Sequence, residues 1–314
     1  MFEIVRSVEL EERADDPIVG IELVTARAGG GYVIADRAAG RVRVFDGEGR
    51  LERALGRAGD GPGELDEPTA AVELDDGRIF VVQRADPRFT TFDRDGSAAV
   101  GRLDAQYGFW AARLDERIAV GLGSREERFA LMTSDGTTEV TFGRVDPLVN
   151  EIPFWIFFAT ERAAVVGDEI FTNTSLFPTI RAFDGRGDSV RAFGAAPPSW
   201  RQAGPPPVAD MSEPRARDRI EEWTGTFTVV AALAAVGDSN VVVQYGHIAP
   251  IESDPYFVAP RRVDVYDAGG AKRFEDLELT DRVVGGGAHL IVLAAEPPSR
   301  WTLTSYALRA AESP

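Results

Sequence analysis

The sequence contains no cysteine. That excludes disulfides, thiolate nucleophiles, cysteine-ligated metals and a lipidated cysteine within this stretch of chain. Histidine is nearly absent, and with only His247 and His289 a three-histidine zinc site cannot be assembled. No apolar run approaches the ~20 residues of a membrane-spanning helix. The richest runs, 152–159 and 229–236, suit buried strands. Positive charge is also scarce, with 34 Lys and Arg against 51 Asp and Glu, a formal net charge of -17. Such a surface repels phosphate backbones and anionic headgroups, which disfavours nucleic acid and lipid partners. It serves solubility, or attraction to a basic protein surface. The N-terminus lacks a basic region followed by an apolar one, so it does not read as a signal peptide. The expectation is a cytoplasmic chain if Met1 is the native start, and an extracytoplasmic one if a leader has been removed.

Hydrophobic residues make up 44% of the 314 positions, enough for a core. They are arranged as a repeat. Each unit has an alternating apolar strand, a polar break, a second strand ending in aromatic-Asp, and a Gly turn. The clearest copy runs Tyr32-Val33-Ile34-Ala35-Asp36, then Arg41-Val42-Arg43-Val44-Phe45-Asp46, then Gly47 and Gly49. A second has Ile79-Phe80-Val81-Val82-Gln83 and Phe89-Thr90-Thr91-Phe92-Asp93 before Gly96. Weaker copies follow at 117–136, 169–187, 240–270 and 289–306. The alternation is the period of a strand with one buried face. The Gly and Asp-Gly positions supply tight-turn geometry. Units recur at roughly 40–50 residues, the length of a propeller blade. The longer spacing from Asp184 to Asp267 reads as a blade carrying insertions. The last unit is short, and residues 2–10 form an orphan strand. That strand is expected to complete the last blade as a clasp.

Gly56-Arg57-Ala58-Gly59-Asp60-Gly61-Pro62-Gly63-Glu64-Leu65, then Pro68, resembles the inter-blade linker of NHL-repeat propellers. The resemblance is strongest over residues 21–100. It implies that the linker and the turn after each second strand lie on one top face around a central channel. It also implies a choice of functions: protein-binding platforms, calcium-dependent lactonases and esterases, amidating lyases, and strictosidine-synthase-like enzymes. Fold alone does not choose among these.

The residues narrow the choice. The lactonase-type propellers hold a channel calcium, which takes six to eight oxygens. The candidates here are Asp36, Asn150, Glu151 and Asn173, with Gln83 also channel-facing. Matching positions in later blades are apolar or uncharged (Leu122, Thr174, Tyr245, Ala294), and the Asp of Phe-Asp-x-x-Gly is more simply a turn-former. There is no Gly-x-Ser-x-Gly, and no Ser or Thr sits beside a histidine base by motif. Gly59-x-Gly61-x-Gly63 and Gly285-Gly286-Gly287 open no helix after a parallel strand, so they read as linker and turn glycines. His289 reads as structural. Arg37, Gln83, Arg84, Tyr245 and His247 follow or end second strands and are candidates for ligand contacts on the top face.

Aromatics cluster at blade junctions, in Tyr107-Gly108-Phe109-Trp110, in Phe154-Trp155-Ile156-Phe157-Phe158, and in Tyr256-Phe257. They serve packing between blades or, where exposed, partner contact. A Pro-rich insertion at about 195–223 carries Trp200 and a short helix capped by Ser212 or its predecessor. Ala216, Ile220 and Trp223 form its apolar stripe, which folds back on the propeller or docks a partner. A second loop spans about 249–260.

The reading is therefore a single all-β domain over 1–314, a six-bladed propeller of four-stranded antiparallel blades. It is closed by the N-terminal strand and carries one short helical insertion. The expected role is a non-catalytic protein-binding scaffold or accessory subunit, using Trp110, Trp155, Trp200, Trp223, Tyr256 and Phe257. The alternative is a calcium-dependent lactonase, esterase or lyase; otherwise no cofactor is implied.

Overall fold

The computed structural model describes residues 1–84, 87–105, 108–124, 126–145, 161–205, 207–208, 212–248, 258–279, 281–296 and 300–309. These residues form six antiparallel four-stranded sheets. Blade 1 is β2 (Ile21–Ala26), β3 (Tyr32–Asp36), β4 (Arg41–Phe45) and β5 (Leu51–Leu55). Blade 2 is β6 (Pro68–Glu73), β7 (Ile79–Gln83), β8 (Arg88–Phe92) and β9 (Ala98–Arg102). Blade 3 is β10 (Gly108–Leu114), β11 (Arg117–Leu122), β12 (Glu127–Met132) and β13 (Thr138–Arg144). Blade 4 is β14 (Glu161–Val166), β15 (Glu169–Thr174), β16 (Ile180–Phe183) and β17 (Ser189–Phe193). Blade 5 is β18 (Thr228–Val236), β19 (Asn240–Ile248), β20 (Val258–Asp267) and β21 (Lys272–Glu278). Blade 6 is β22 (Arg282–Gly285), β23 (Leu290–Glu296), β24 (Arg300–Leu308) and, from the other end of the chain, β1 (Phe2–Glu9).

The sixth blade bears out the expected clasp. β1 pairs antiparallel with β24 from Phe2 opposite Leu308 to Glu9 opposite Thr302. Residues 10–20 then cross from the rim of blade 6 to the inner strand of blade 1. Arg43, itself 1% exposed, pins that crossing. Its guanidinium donates to Asp36 Oδ2 at 3.1 Å, to both Asp16 oxygens at 2.9 and 3.0 Å, and to the carbonyls of Asp16 and Pro17.

Position within a blade sets burial. Second strands such as β3 and β7 are buried at every residue, because neighbouring blades cover both of their faces. Fourth strands such as β9 face solvent, and Val100, Val190 and Ile4 on such strands are exposed. Five of the six inner-strand pairs contain a register shift, at Ile21/Val24, Pro68/Ala70, Gly108/Trp110, Val230/Ala232 and Val283/Gly285. A bulge sharpens local twist, which inner strands need as they crowd the axis.

The turn chemistry is local. Asp46 Oδ1 accepts from the N–H groups of Glu48 and Arg50, both at 2.9 Å, and Asp184 Oδ1 does the same for Arg186 and Asp188. Those bonds hold the Asp184 carboxyl below its ordinary pKa. In the 56–65 linker, Glu64 accepts from Gly61 N at 2.8 Å and from Arg57 Nε at 2.8 Å, and Leu65 is fully buried. Gly40 abuts this linker at φ 60, where an added Cβ would lie 2.6 Å from Ala58 Cα. Only glycine fits such a close approach at positive φ.

The long spacing before Asp267 resolves into two excursions. The first, 194–227, lies between blades 4 and 5 and not inside a blade; the second joins β19 to β20. The first contains α1 (Ala216–Thr224). Its N-cap is Arg215 in a left-handed conformation without a side-chain cap, not Ser212. The helix instead draws stability from packing, since Ile220 and Trp223 rest on Leu176, Phe227 and Val229. The apolar stripe thus folds back on the propeller itself. No helix of the described residues is long and apolar enough to cross a membrane.

Candidate functional site

β2, β6, β10, β14, β18 and β22 contact one another in a closed ring. Their starts share one end of the axis. Arg282, first in β22, donates to the carbonyls of Ile21 and Glu22 at the start of β2. Thr69 of β6 donates to Gly108 O at the start of β10, and Val230 near the start of β18 donates to Ser175 O just past β15. We call this end the top. The 56–65 linker lies there, beside the turn after β3.

The ring encloses an axial cavity of about 2000 Å³. Five arginines line its upper part: Arg37, Arg84, Arg162, Arg261 and Arg282. Four acids share it: Glu22, Asp66, Glu67 and Asp281. Arg37 lies 3.0 Å from Glu67 and 3.9 Å from Glu22. Deeper, Leu23 reaches across the axis to pack against core clusters of blades 2, 3 and 4. Leu23, Phe109 and Ala231 form an apolar collar, with Val165 below it. At the bottom the charges are matched in pairs, Arg27 with Glu73 at 2.9 Å and Arg113 with Asp75 at 2.7 Å.

Of the residues singled out from the sequence, Arg37 and Arg84 line this mouth. The others sit elsewhere. Asp36 and Gln83 are not channel-facing: both are fully buried. Asp36 accepts from Gly20 N at 2.9 Å, from Val19 N and from Arg43, while Gln83 accepts from Asp66 N at 2.7 Å and donates to Thr90. Asn173 is buried and donates to the carbonyls of Phe177 and Thr179 at 2.7 and 2.8 Å. All three tie loops to strand ends. His247 is half-buried with Nδ1 3.0 Å from Phe227 O. Asn150, Glu151, Trp155, Tyr256 and Phe257 lie outside the described residues. Among the described residues, no three His, Cys, Asp or Glu side chains gather as a metal would require.

The aromatics divide in the same way. Trp110 is not an exposed partner contact; it is 7% exposed and edge-on to Phe129. Trp223 is half-buried against Phe227. Trp200 is half-buried with its ring tilted over Tyr245 at 6.3 Å.

Tyr245 is itself buried, in a polar cluster that the sequence pattern did not signal. Its hydroxyl donates to Asp276 Oδ1 at 2.8 Å and lies 3.2 Å from Asp264. Ser199 of the insertion donates to the same Asp276 oxygen. Tyr266 donates to Asp264, which Lys272 meets at 3.0 Å. Burial, then the bond to Asp276, pushes the Tyr245 hydroxyl well above its ordinary pKa. Burial alone would lower Lys272, but Glu275 and Asp264 outweigh it and hold the ammonium well above its usual range. Both groups stay protonated at neutral pH, as struts and not as bases. The cluster fastens the insertion to blade 5.

A family model, DUF5128, described as a 6-bladed beta-propeller, matches residues 1–108. That is about a third of the chain. Solved structures match much more of it. A member of the duf4221 family from Bacteroides vulgatus aligns with TM-score 0.67 at 10% identity, over 99% of each chain. A putative exported protein from Bacteroides fragilis aligns with TM-score 0.64 at 12% identity, over 98% of this chain and 95% of that one. A virginiamycin B lyase from Staphylococcus aureus aligns with TM-score 0.55 at 10% identity, over 91% of this chain and 80% of that one. The fold of the present chain is that of the six-bladed β-propellers. No curated protein matches the chain. At these identities the likeness carries the fold alone.

Proposed function

We propose that the chain is a non-catalytic binding propeller, a scaffold or accessory subunit of the NHL type, that receives its ligand or partner at the upper mouth of the channel. One observation carries this reading: a large axial cavity whose walls are mostly apolar and whose upper part gathers charged side chains. That combination is typical of binding sites, where polar groups fix orientation and apolar walls supply affinity. Arg37 and Arg84, which follow the second strands of blades 1 and 2, are the groups on which we place recognition.

The competing channel-metal reading draws on Asp36 and Asn173. The Asp36 carboxylate already accepts from Gly20 N, Val19 N and Arg43, so a metal there would have to displace bonds already made, whereas Asn173 spends Nδ2 on two carbonyls and keeps a buried, unpartnered Oδ1.

Native mass spectrometry of the protein gently isolated from its own host tests the proposal. The expected result is a bound species on the wild type that Arg84→Glu loses while keeping its melting curve. A wild type that always emerges bare, or a bound species that the variant retains, overturns it.

A further inference from the structure

We infer that the middle of the axial channel is an apolar seat, and that the ligand received at the mouth is a small molecule whose inner end is uncharged and apolar. The inference rests on the binding reading above and adds the chemistry that reaches the axis.

The first ground is the make-up of the six inner strands at that depth. Between Glu22 and Thr25 in β2, between Thr69 and Glu73 in β6, and between Gly108 and Arg113 in β10, every residue is Leu, Val, Ala, Phe or Trp. From Ala163 to Val166 in β14, from Val229 to Val236 in β18 and from Val283 to Gly285 in β22, every residue is Ala, Val, Leu or Gly. The middle zone therefore carries no ionisable side chain on any of the six strands. A charged group taken to this depth loses hydration and meets no counter-charge in return. Ion pairs resume only below the zone, Arg27 with Glu73 and Arg113 with Asp75.

The second ground is apolar surface left uncovered. Leu23, Phe109, Ala112, Val165, Ala231 and Ala232 line the cavity and are only half-buried. They come from β2, β10, β14 and β18, so the seat is built by four blades. Leu23 and Phe109 are its large side chains, and the three alanines leave room beside them. An apolar group placed there removes hydrophobic surface from water on both sides. A small polar molecule gains nothing comparable. The seat lies inside a ring of strands, so its occupant has to enter along the axis, which favours a small molecule over a folded partner.

The neutral fluorophore N-phenyl-1-naphthylamine, which brightens in apolar surroundings, tests this without any host ligand. Its fluorescence should rise saturably with the wild type and fall when 1-octanol competes. Octane-1,8-diol has the same length but a hydroxyl at each end. It should compete about tenfold more weakly or worse, a difference of about 1.4 kcal/mol. Ala231→Asp and Ala112→Asp each place a carboxylate in the seat, and each should weaken the probe about tenfold or more. Val190→Asp, on the solvent-facing strand β17, should leave it unchanged. Unaltered melting curves would show that the variants fold, and the two seat positions lie on separate strands, so either can serve alone. Absence of saturable binding, equal competition by octanol and the diol, or unchanged affinity in a folded seat variant would each overturn the inference. So would a loss in Val190→Asp equal to that in the seat variants. Should the probe fail to bind while a host-derived species is still lost from Arg84→Glu, the binding reading stands and only the apolar seat fails. Should the probe bind while the wild type emerges bare from its host, the seat stands and the binding reading is what fails.

Discussion

Thirty-three of the 34 cationic side chains in this protein are arginine, and the lone lysine, Lys272, sits against a buried carboxylate. Asp264 at 3.0 Å and Glu275 at 2.6 Å hold its charge, and Tyr266 lies beneath it at 5.5 Å. An amine reacts with acylating reagents only when neutral. With its pKa raised, Lys272 should label with an N-hydroxysuccinimide ester at pH 8 about tenfold or more slower than in the urea-unfolded chain, as followed by peptide mass spectrometry. Equal rates would mean that the pairing does not persist in solution. Asp16 gives the matching acid-side case. Burial opposes its ionisation, but Arg43, Arg41 and Arg13 outweigh burial and hold the carboxyl below its ordinary pKa. A depressed folded pKa contributes stability that is fully present above the unfolded value and is lost as pH falls through the folded one. The urea midpoint of the wild type should therefore drop more steeply from about pH 5 to about pH 3 than that of Asp16→Asn, which has no such proton to take up.

At the scale of elements, β1 has the most specific task. It adds no blade, yet it buries Val8, leads into the buried Leu10 and completes the outer edge of blade 6. Deleting residues 1–10 removes two buried apolar side chains and a full ladder, roughly 5 kcal/mol by side-chain burial alone. At roughly 2–4 °C per kcal/mol, the calorimetric melt should fall by about 10 °C or more. This strand was legible in the sequence because the last unit was visibly short and residues 2–10 had no partner of their own. The blades were legible for a similar reason: alternation and Asp-Gly turns are local signals. The candidate site was less so. Asp36, Gln83 and Asn173 looked like channel ligands because polar residues at strand ends can face an axis. Only three-dimensional packing shows that loops fold over them and draw them into hydrogen bonds with the backbone. Conversely, Arg162 and Arg282 lie at the starts of β14 and β22 and Arg261 within β20, all in weakly patterned repeats, and nothing in their local sequence marks them as lining one cavity with Arg37 and Arg84. The helix cap failed likewise. Ser212 has the right chemistry, but the docking of Ile220 and Trp223 on Leu176 fixes where α1 begins.

For the whole molecule, closure is the property that the order of elements along the chain controls. Six blades packed face to face would form a ring in any cyclic order, but only one junction is locked by strand exchange. The two chain ends meet inside blade 6, where Met1 and Arg309 exchange backbone bonds at 3.0 Å. Opening the ring there means tearing a sheet, whereas opening it between other blades means separating packed side chains and at most a few backbone bonds, such as Val230 N to Ser175 O. A circular permutant should expose this difference. Linking the present ends and recutting between β13 and β14 keeps every strand and every pairing, so its blades and its axial cavity should form as before. Its new ends, however, fall between two blades, and the described residues hold the ring there by packing and isolated side-chain bonds such as Arg117 to Gly185 O, with no strand pairing. The permutant should melt below the wild type, with a broader calorimetric transition, because blades 3 and 4 can part before the rest unfolds. A permutant that melts like the wild type would mean that contacts between blade faces close this propeller and that the clasp is dispensable for closure.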